Sequence, residues 1–159
     1  SAASDVYKRQ ILECLFTPRV EHANEIAQEL LSLRGCFLSR FIHKTYNGYV
    51  LSQFKKLKAS IDGDGRVKWK HAMHLIRLLL SAIRALETGE LELDVGEHRD
   101  RLLEIKHGAM SWDEVDAWRL DLQKKFDGAA SDSPLPERPD YVRINTFLVD
   151  ARRRMVDEG

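Results

Sequence analysis

Between Lys68 and Thr88 the polar side chains of a helical pattern fall on one line. Lys70, His74, Arg77, Ser81 and Arg84 recur at i, i+4, i+7, i+11 and i+14, and most of the remaining circumference is apolar. A helix of this kind must be covered on several sides at once, so the chain has to supply enough further helices to enclose it. The cluster Asp62-Gly63-Asp64-Gly65 reads as a turn before it and Gly89 as its stop, which predicts one unbroken helix over 68–88.

The covering elements are legible in the same way. Glu21 to Leu33 places Ala23, Ile26, Ala27, Leu30 and Leu31 at helical spacing, with Pro18 ahead of it and Gly35 as its stop. Phe37 to Ala59 continues with Phe37, Leu38, Phe41, Ile42, Thr45, Tyr49, Leu51 and Phe54, then turns basic at Lys55, Lys56 and Lys58, where cations suit a helix C-terminus. It and the 68–88 helix are expected to pack as an antiparallel pair. His98 to His107 is a short helix stopped by Gly108, and the capping box Ser111-Trp112-Asp113-Glu114 opens a helix expected to reach about Phe126 and to stop at Gly128. Trp112, Trp118 and Phe126 on that helix read as core or interdomain packing. Ser131 to Pro139 holds three of the four prolines and reads as a loop, after which Asp140 caps a last helix closing on Arg152, Arg153 and Arg154. Glu90 to Val95 alternates acidic and apolar residues and suits one short extended segment, which alone makes no sheet. The expected fold class is all-α, with five or six helices and no internal repeat.

Composition limits the partners. The 159 residues are 43% hydrophobic and 31% charged, enough for one domain with a buried core. Lysine plus arginine and aspartate plus glutamate each number 25, so no global field draws the chain to nucleic acid or to an anionic membrane, and any phosphate site must be local. Cys14 and Cys36 lack CxxC spacing, which suggests neither a disulfide framework nor a zinc site and fits a reducing cytoplasm. The apolar run Leu75 to Ile83 is broken by Arg77 and Ser81 and falls short of a membrane span, so no membrane partner is expected. Asp5 to Gln10 (DVYKRQ) resembles the translated end of a transposon-based sequencing adapter. Residues 1–10 are therefore read as a scar, the alternative being an ordinary disordered polar N-terminus, and 11–159 as the helical domain; on the scar reading the gene is expected to extend upstream of Ile11 and the chain to be a fragment.

Four segments carry a family resemblance, in order along the chain: YVLSQFKKLK at 49–58, KHAMHLIRLL at 70–79, TGEL at 88–91 and SPLP at 133–136. Together they resemble the C-terminal helical part of the predicted nucleotidyltransferases of the DNA polymerase β superfamily, with a likeness running from about Ile11 to Met155. The resemblance implies transfer of a nucleotidyl group from a nucleoside triphosphate, with an RNA end as a candidate acceptor. It implies two metal ions, Mg²⁺, held on aspartates of a Gly-Ser and Asp-x-Asp motif in an N-terminal α/β domain. This chain has no Gly-Ser, and its one Asp-x-Asp, Asp62-Gly63-Asp64, follows a helix instead of lying on a strand. The expectation is therefore no catalytic residue and no metal ligand here. Mg²⁺ and the triphosphate belong to the complete enzyme, the missing N-terminal catalytic domain is the partner, and this chain alone is inactive.

Within the chain, Lys70, His74 and Arg77 are the candidate phosphate ligands, because several donors on a rigid element can converge on one polyanion; the alternative is a solvated helix face. His71 lies off that line and is expected to be packed or to support a ligand from behind. His71 and His74 are spaced to share a metal, but no carboxylate or cysteine accompanies them. Ser60, Asp62, Asp64, Gly65 and Val67 half-match a calcium loop, which fails because His71 stands where the closing glutamate is required. Tyr46, Tyr49, Lys55 and Lys58 mix aromatic and basic groups as single-strand binders do, and are the candidates for a nucleic-acid acceptor. The competing function is a free-standing helical interaction module that performs no chemistry.

Overall fold

A computed structural model describes residues 14–17, 24–91 and 96–157. Residues 1–10 and Pro18 lie outside these, as do residues 92–95, which hold most of the expected extended segment. Among the described residues the fold is all-α, with six helices and no strand: α1 (Glu25–Ser32), α2 (Phe41–Asp64), α3 (Trp69–Thr88), α4 (Arg99–Lys106), α5 (Trp112–Asp132) and α6 (Tyr141–Asp157). Single turns of 3-10 helix at Arg34–Phe37 and Gly96–His98 lead into α2 and α4.

The helix that carries the polar line is the hub. α3 packs against α2, α4 and α5, and Ala72, Leu75, Ile76, Leu79, Ala82, Ile83 and Leu86 are buried along it. Burying each of the larger of these stabilises by roughly 1.5–3 kcal/mol relative to exposure. Gly89 closes α3 in the left-handed conformation (φ 72°), its N–H donating to the Ala85 carbonyl at 2.9 Å. A four-residue link, 65–68, joins α2 to α3 and turns them into a helical hairpin. On α5, Val115, Trp118, Leu122 and Phe126 form one buried line, begun by the expected capping box: Ser111 Oγ accepts from the Glu114 N–H at 3.3 Å, and the Glu114 carboxylate accepts from the Ser111 N–H at 2.9 Å.

Three boundaries differ from the sequence reading. α2 begins at Phe41 instead of Phe37, because Arg34–Phe37 is a 3-10 turn and Leu38 and Ser39 are buried; Ser39 Oγ takes the Phe41 N–H at 3.2 Å. α2 runs on through Ala59 to Asp64, so Asp62 and Gly63 belong to its last turn and only Gly65 (φ 72°) ends it. α5 passes through Gly128 and stops at Ser133 (ψ 135°), the residue before Pro134, whose ring disfavours helical geometry in its predecessor.

The segment between α5 and α6 ties the end of α3 to the entry of α2. Ser133 Oγ donates to the Leu86 carbonyl at 2.6 Å and accepts from the Leu135 N–H at 3.2 Å. Arg40 donates from its backbone N–H to Pro136 O (2.8 Å) and from Nε to Leu135 O (3.1 Å), and the Asp140 N–H donates to Cys36 O (2.9 Å). Asp140 then caps α6, accepting from the Arg143 N–H at 3.1 Å. Arg154 of α6 makes a two-pronged bond to Glu29 of α1 (2.6 and 2.9 Å).

Candidate functional site

Burial of α3 by three neighbours leaves one line of it outward. Lys70, Arg77 and Arg84 are exposed, His74 and Ser81 half-buried between them, and His71 is exposed in the first turn. Among the described residues no side chain caps that first turn, so its N–H groups add positive potential near Lys70 and His71. The His74 ring stands edge-on to Tyr49 of α2, with centroids 6.2 Å apart and planes at 88°. Tyr49 therefore orients His74 from the core side.

The four acceptor candidates are not brought together. Tyr46 is 1% exposed and Tyr49 9%, both in the core cluster, and a buried ring offers no face to a base. Lys55 and Lys58 are exposed. At roughly 100° per residue Lys58 falls on the side of α2 opposite Tyr49. Alternating aromatic and basic residues there reflect two sides of one helix and not one stacking surface.

A cleft of about 790 Å³ opens a quarter-turn from the stripe, between α3, α5 and the Gly96–His98 turn with α4. Sequence reading did not single it out. The Arg101 guanidinium lies over the Trp118 ring at 3.9 Å, the His98 ring is 5.9 Å from the same indole, and Lys125 pairs with Asp121 at 3.0 Å. The first two of these contacts cross elements, so no spacing along the chain announces them, whereas Lys125 and Asp121 are an i,i+4 pair on α5. Glu87, Glu114 and Asp121 also line the cleft. Hydrogen bonds from Ser111, chiefly its backbone N–H, hold the Glu114 carboxyl below its ordinary value, so Glu114 stays charged at neutral pH. With Arg101 stacked on Trp118, Lys125 paired with Asp121 and three carboxylates present, the cleft does not favour a triphosphate.

The segments that carry the family resemblance converge on α3. KHAMHLIRLL is its first half, YVLSQFKKLK lies on α2 packed beside it, and TGEL is its end. SPLP lies over that end, with Ser133 bonded to Leu86 and a Leu135 methyl 3.5 Å from where a Cβ on Gly89 would stand. A family model described as "RNA repair pathway DNA polymerase beta family" matches residues 9–150. The chain belongs to that family. The family's name is that of a polymerase-β-like nucleotidyltransferase. No curated protein and no solved structure matches the chain significantly.

The described residues hold no cluster of three His, Cys, Asp or Glu side chains that would bind a metal ion. Asp64, of the one Asp-x-Asp, instead closes the turn after α2, its Oδ1 accepting from the Arg66 N–H at 3.0 Å. Among the described residues no helix is long and apolar enough to cross a membrane. Cys14 and Cys36 are both free thiols.

Proposed function

We propose that this chain is the helical part of a metal-dependent nucleotidyltransferase of its family, which moves a nucleotidyl group from a nucleoside triphosphate to an RNA end. Lys70, His74 and Arg77 form one wall of the nucleotide cleft. The observation that supports this is the single outward line on α3, cationic at Lys70, Arg77 and Arg84, on a helix held by three neighbours. A rigid mount matters, because donors fixed in advance lose little entropy when they meet a polyanion.

Each residue has its own part. Arg77 offers a planar fork that can grip two phosphate oxygens, and Lys70 acts as a compact point charge beside the positive end of α3. His74, propped by Tyr49, donates from a fixed ring, and His71 lines the entrance in the first turn. Lys55 and Lys58 contact the acceptor backbone. The aspartates that hold Mg²⁺ belong to a separate α/β catalytic domain, which docks so that its reacting phosphate faces this stripe, in a reducing cytoplasm.

The reading is tested in the complete protein. Lys70→Ala and Arg77→Ala should each weaken nucleoside triphosphate binding by about 1.5–3 kcal/mol, the scale of hydrogen bonds to charged groups. Unchanged affinity and turnover in both would return the stripe to a solvated face.

A further inference from the structure

The last helix presents an apolar seam that is exposed among the described residues. α6 is held from one side, where Phe147 and Ala151 are buried and Arg154 grips Glu29. Its other side carries three adjacent pairs: Tyr141 and Val142 (61% and 77% exposed), Leu148 and Val149 (45% and 41%), Met155 and Val156 (66% and 77%). The pairs repeat every seven residues. Solvated helix faces show no such period, whereas it is the period of a helix lying along another helix at a shallow angle. Asn145 and Arg152, both exposed, fall on the same side between the pairs.

We propose that this seam is the contact between two copies of the chain, pairing α6 with α6 antiparallel about a two-fold axis at Leu148 and Val149. The pattern reads the same in both directions. Turned end for end, Tyr141 meets Val156, Val142 meets Met155, Leu148 meets Val149, and Asn145 meets Arg152, each contact occurring twice as a two-fold interface requires. The one charged residue on the seam thereby faces an amide oxygen that can accept from its guanidinium. Parallel pairing would instead set Arg152 against Arg152 and align the helix dipoles. A helix from an unrelated domain would have no need of a seam with this internal symmetry. One helix pair lies at the small end of specific interfaces, roughly 1,200 Å² in total, so the expected dimer is a weak, concentration-dependent one.

Sedimentation of the purified chain over a concentration series tests this, reading the shift from the 18.3 kDa monomer to twice that mass. The expected result is a concentration-dependent dimer that Leu148→Glu with Val149→Glu abolishes and that Val142→Glu, at the far end of the seam, also weakens. All three positions are exposed, so circular dichroism should show the fold intact. Asn145→Asp fixes the orientation: antiparallel pairing gains two Asp–Arg152 contacts and tightens by about fivefold or more, whereas parallel pairing sets Asp against Asp and weakens. A monomer at all concentrations up to about 1 mM, a dimer indifferent to the Leu148 and Val149 changes, or a weaker Asn145→Asp dimer would each overturn the proposal. So would a monomeric complete protein whose α6 seam is protected from hydrogen exchange by another of its domains.

Discussion

The first residue of α3 rests on a glycine, and that contact fixes where the stripe begins. Gly108, just after α4, adopts φ 69°, and a Cβ built on it would stand 3.0 Å from Trp69 Nε1 and 3.3 and 3.4 Å from two ring carbons. Gly108→Ala therefore incurs two costs. A left-handed non-glycine residue costs roughly 1–2 kcal/mol, and forcing the half-buried indole away by a few tenths of an ångström adds about 1–2 kcal/mol, the lower part of the overpacking range. Gly65 supplies the control, because it has φ 72° but nothing within 4 Å of its Cβ. Gly65→Ala should carry the conformational cost alone. Each substitution also stiffens the unfolded chain to the same extent, so that gain cancels in the comparison. Urea unfolding of the three proteins should place Gly108→Ala below Gly65→Ala by about 1–2 kcal/mol, and thermal melts should separate them by roughly 2–8 °C at this chain length. Equal losses, or a smaller loss at Gly108, would refute the packing of Trp69 on that turn.

Ser133→Ala should cost about 1–3 kcal/mol in urea unfolding, because it strips a buried carbonyl at Leu86 and the Leu135 N–H of their partner at once; a loss below about 0.5 kcal/mol would show that the latch is not made. Glu29 and Glu114 are held below the ordinary 4.5, chiefly by a hydrogen bond from the Arg154 side chain and by one from the Ser111 backbone, respectively. Their folded values are depressed, so the stability they add is present above the unfolded value and is lost as pH falls through the folded ones. Glu29→Gln with Glu114→Gln should flatten the acid limb of a stability profile, and an unchanged limb would contradict it. The purified chain should incorporate no nucleotide with any triphosphate and Mg²⁺, because two-metal chemistry needs ions about 4 Å apart on carboxylates; metal-dependent incorporation would overturn this.

What could be read in advance was whatever a single element encodes. The polar line of α3 follows from period alone, Gly89 from backbone conformation, and the Ser111 cap from two side chains three residues apart. Errors arose where a neighbour decides. Gly128 looked like a stop, but α5 holds its helix until Pro134 constrains Ser133, with Ala129 and Ala130 packed on the core. Asp62 and Gly63 looked like a turn, yet the helix continued until Gly65 could turn left-handed. Tyr46 and Tyr49 looked like stacking platforms beside Lys55 and Lys58, since sequence does not say which side of α2 meets α3. The cleft beside Trp118 depends on α4 and α5 both packing on α3, a geometry with no spacing signature. For the stripe, sequence supplied the residues and structure supplied the rigid mount.

The central claim concerns phosphate, so the most direct measurement compares ligands that differ only in it. In the complete protein, calorimetry should give the ratio of nucleoside triphosphate to monophosphate affinity for the native sequence, Lys70→Ala and Arg77→Ala. The account predicts that each substitution lowers this ratio by about tenfold or more, since a charge-assisted contact of about 1.5 kcal/mol is lost only where the outer phosphates are present. A ratio unchanged by both substitutions, with triphosphate still bound, would contradict it.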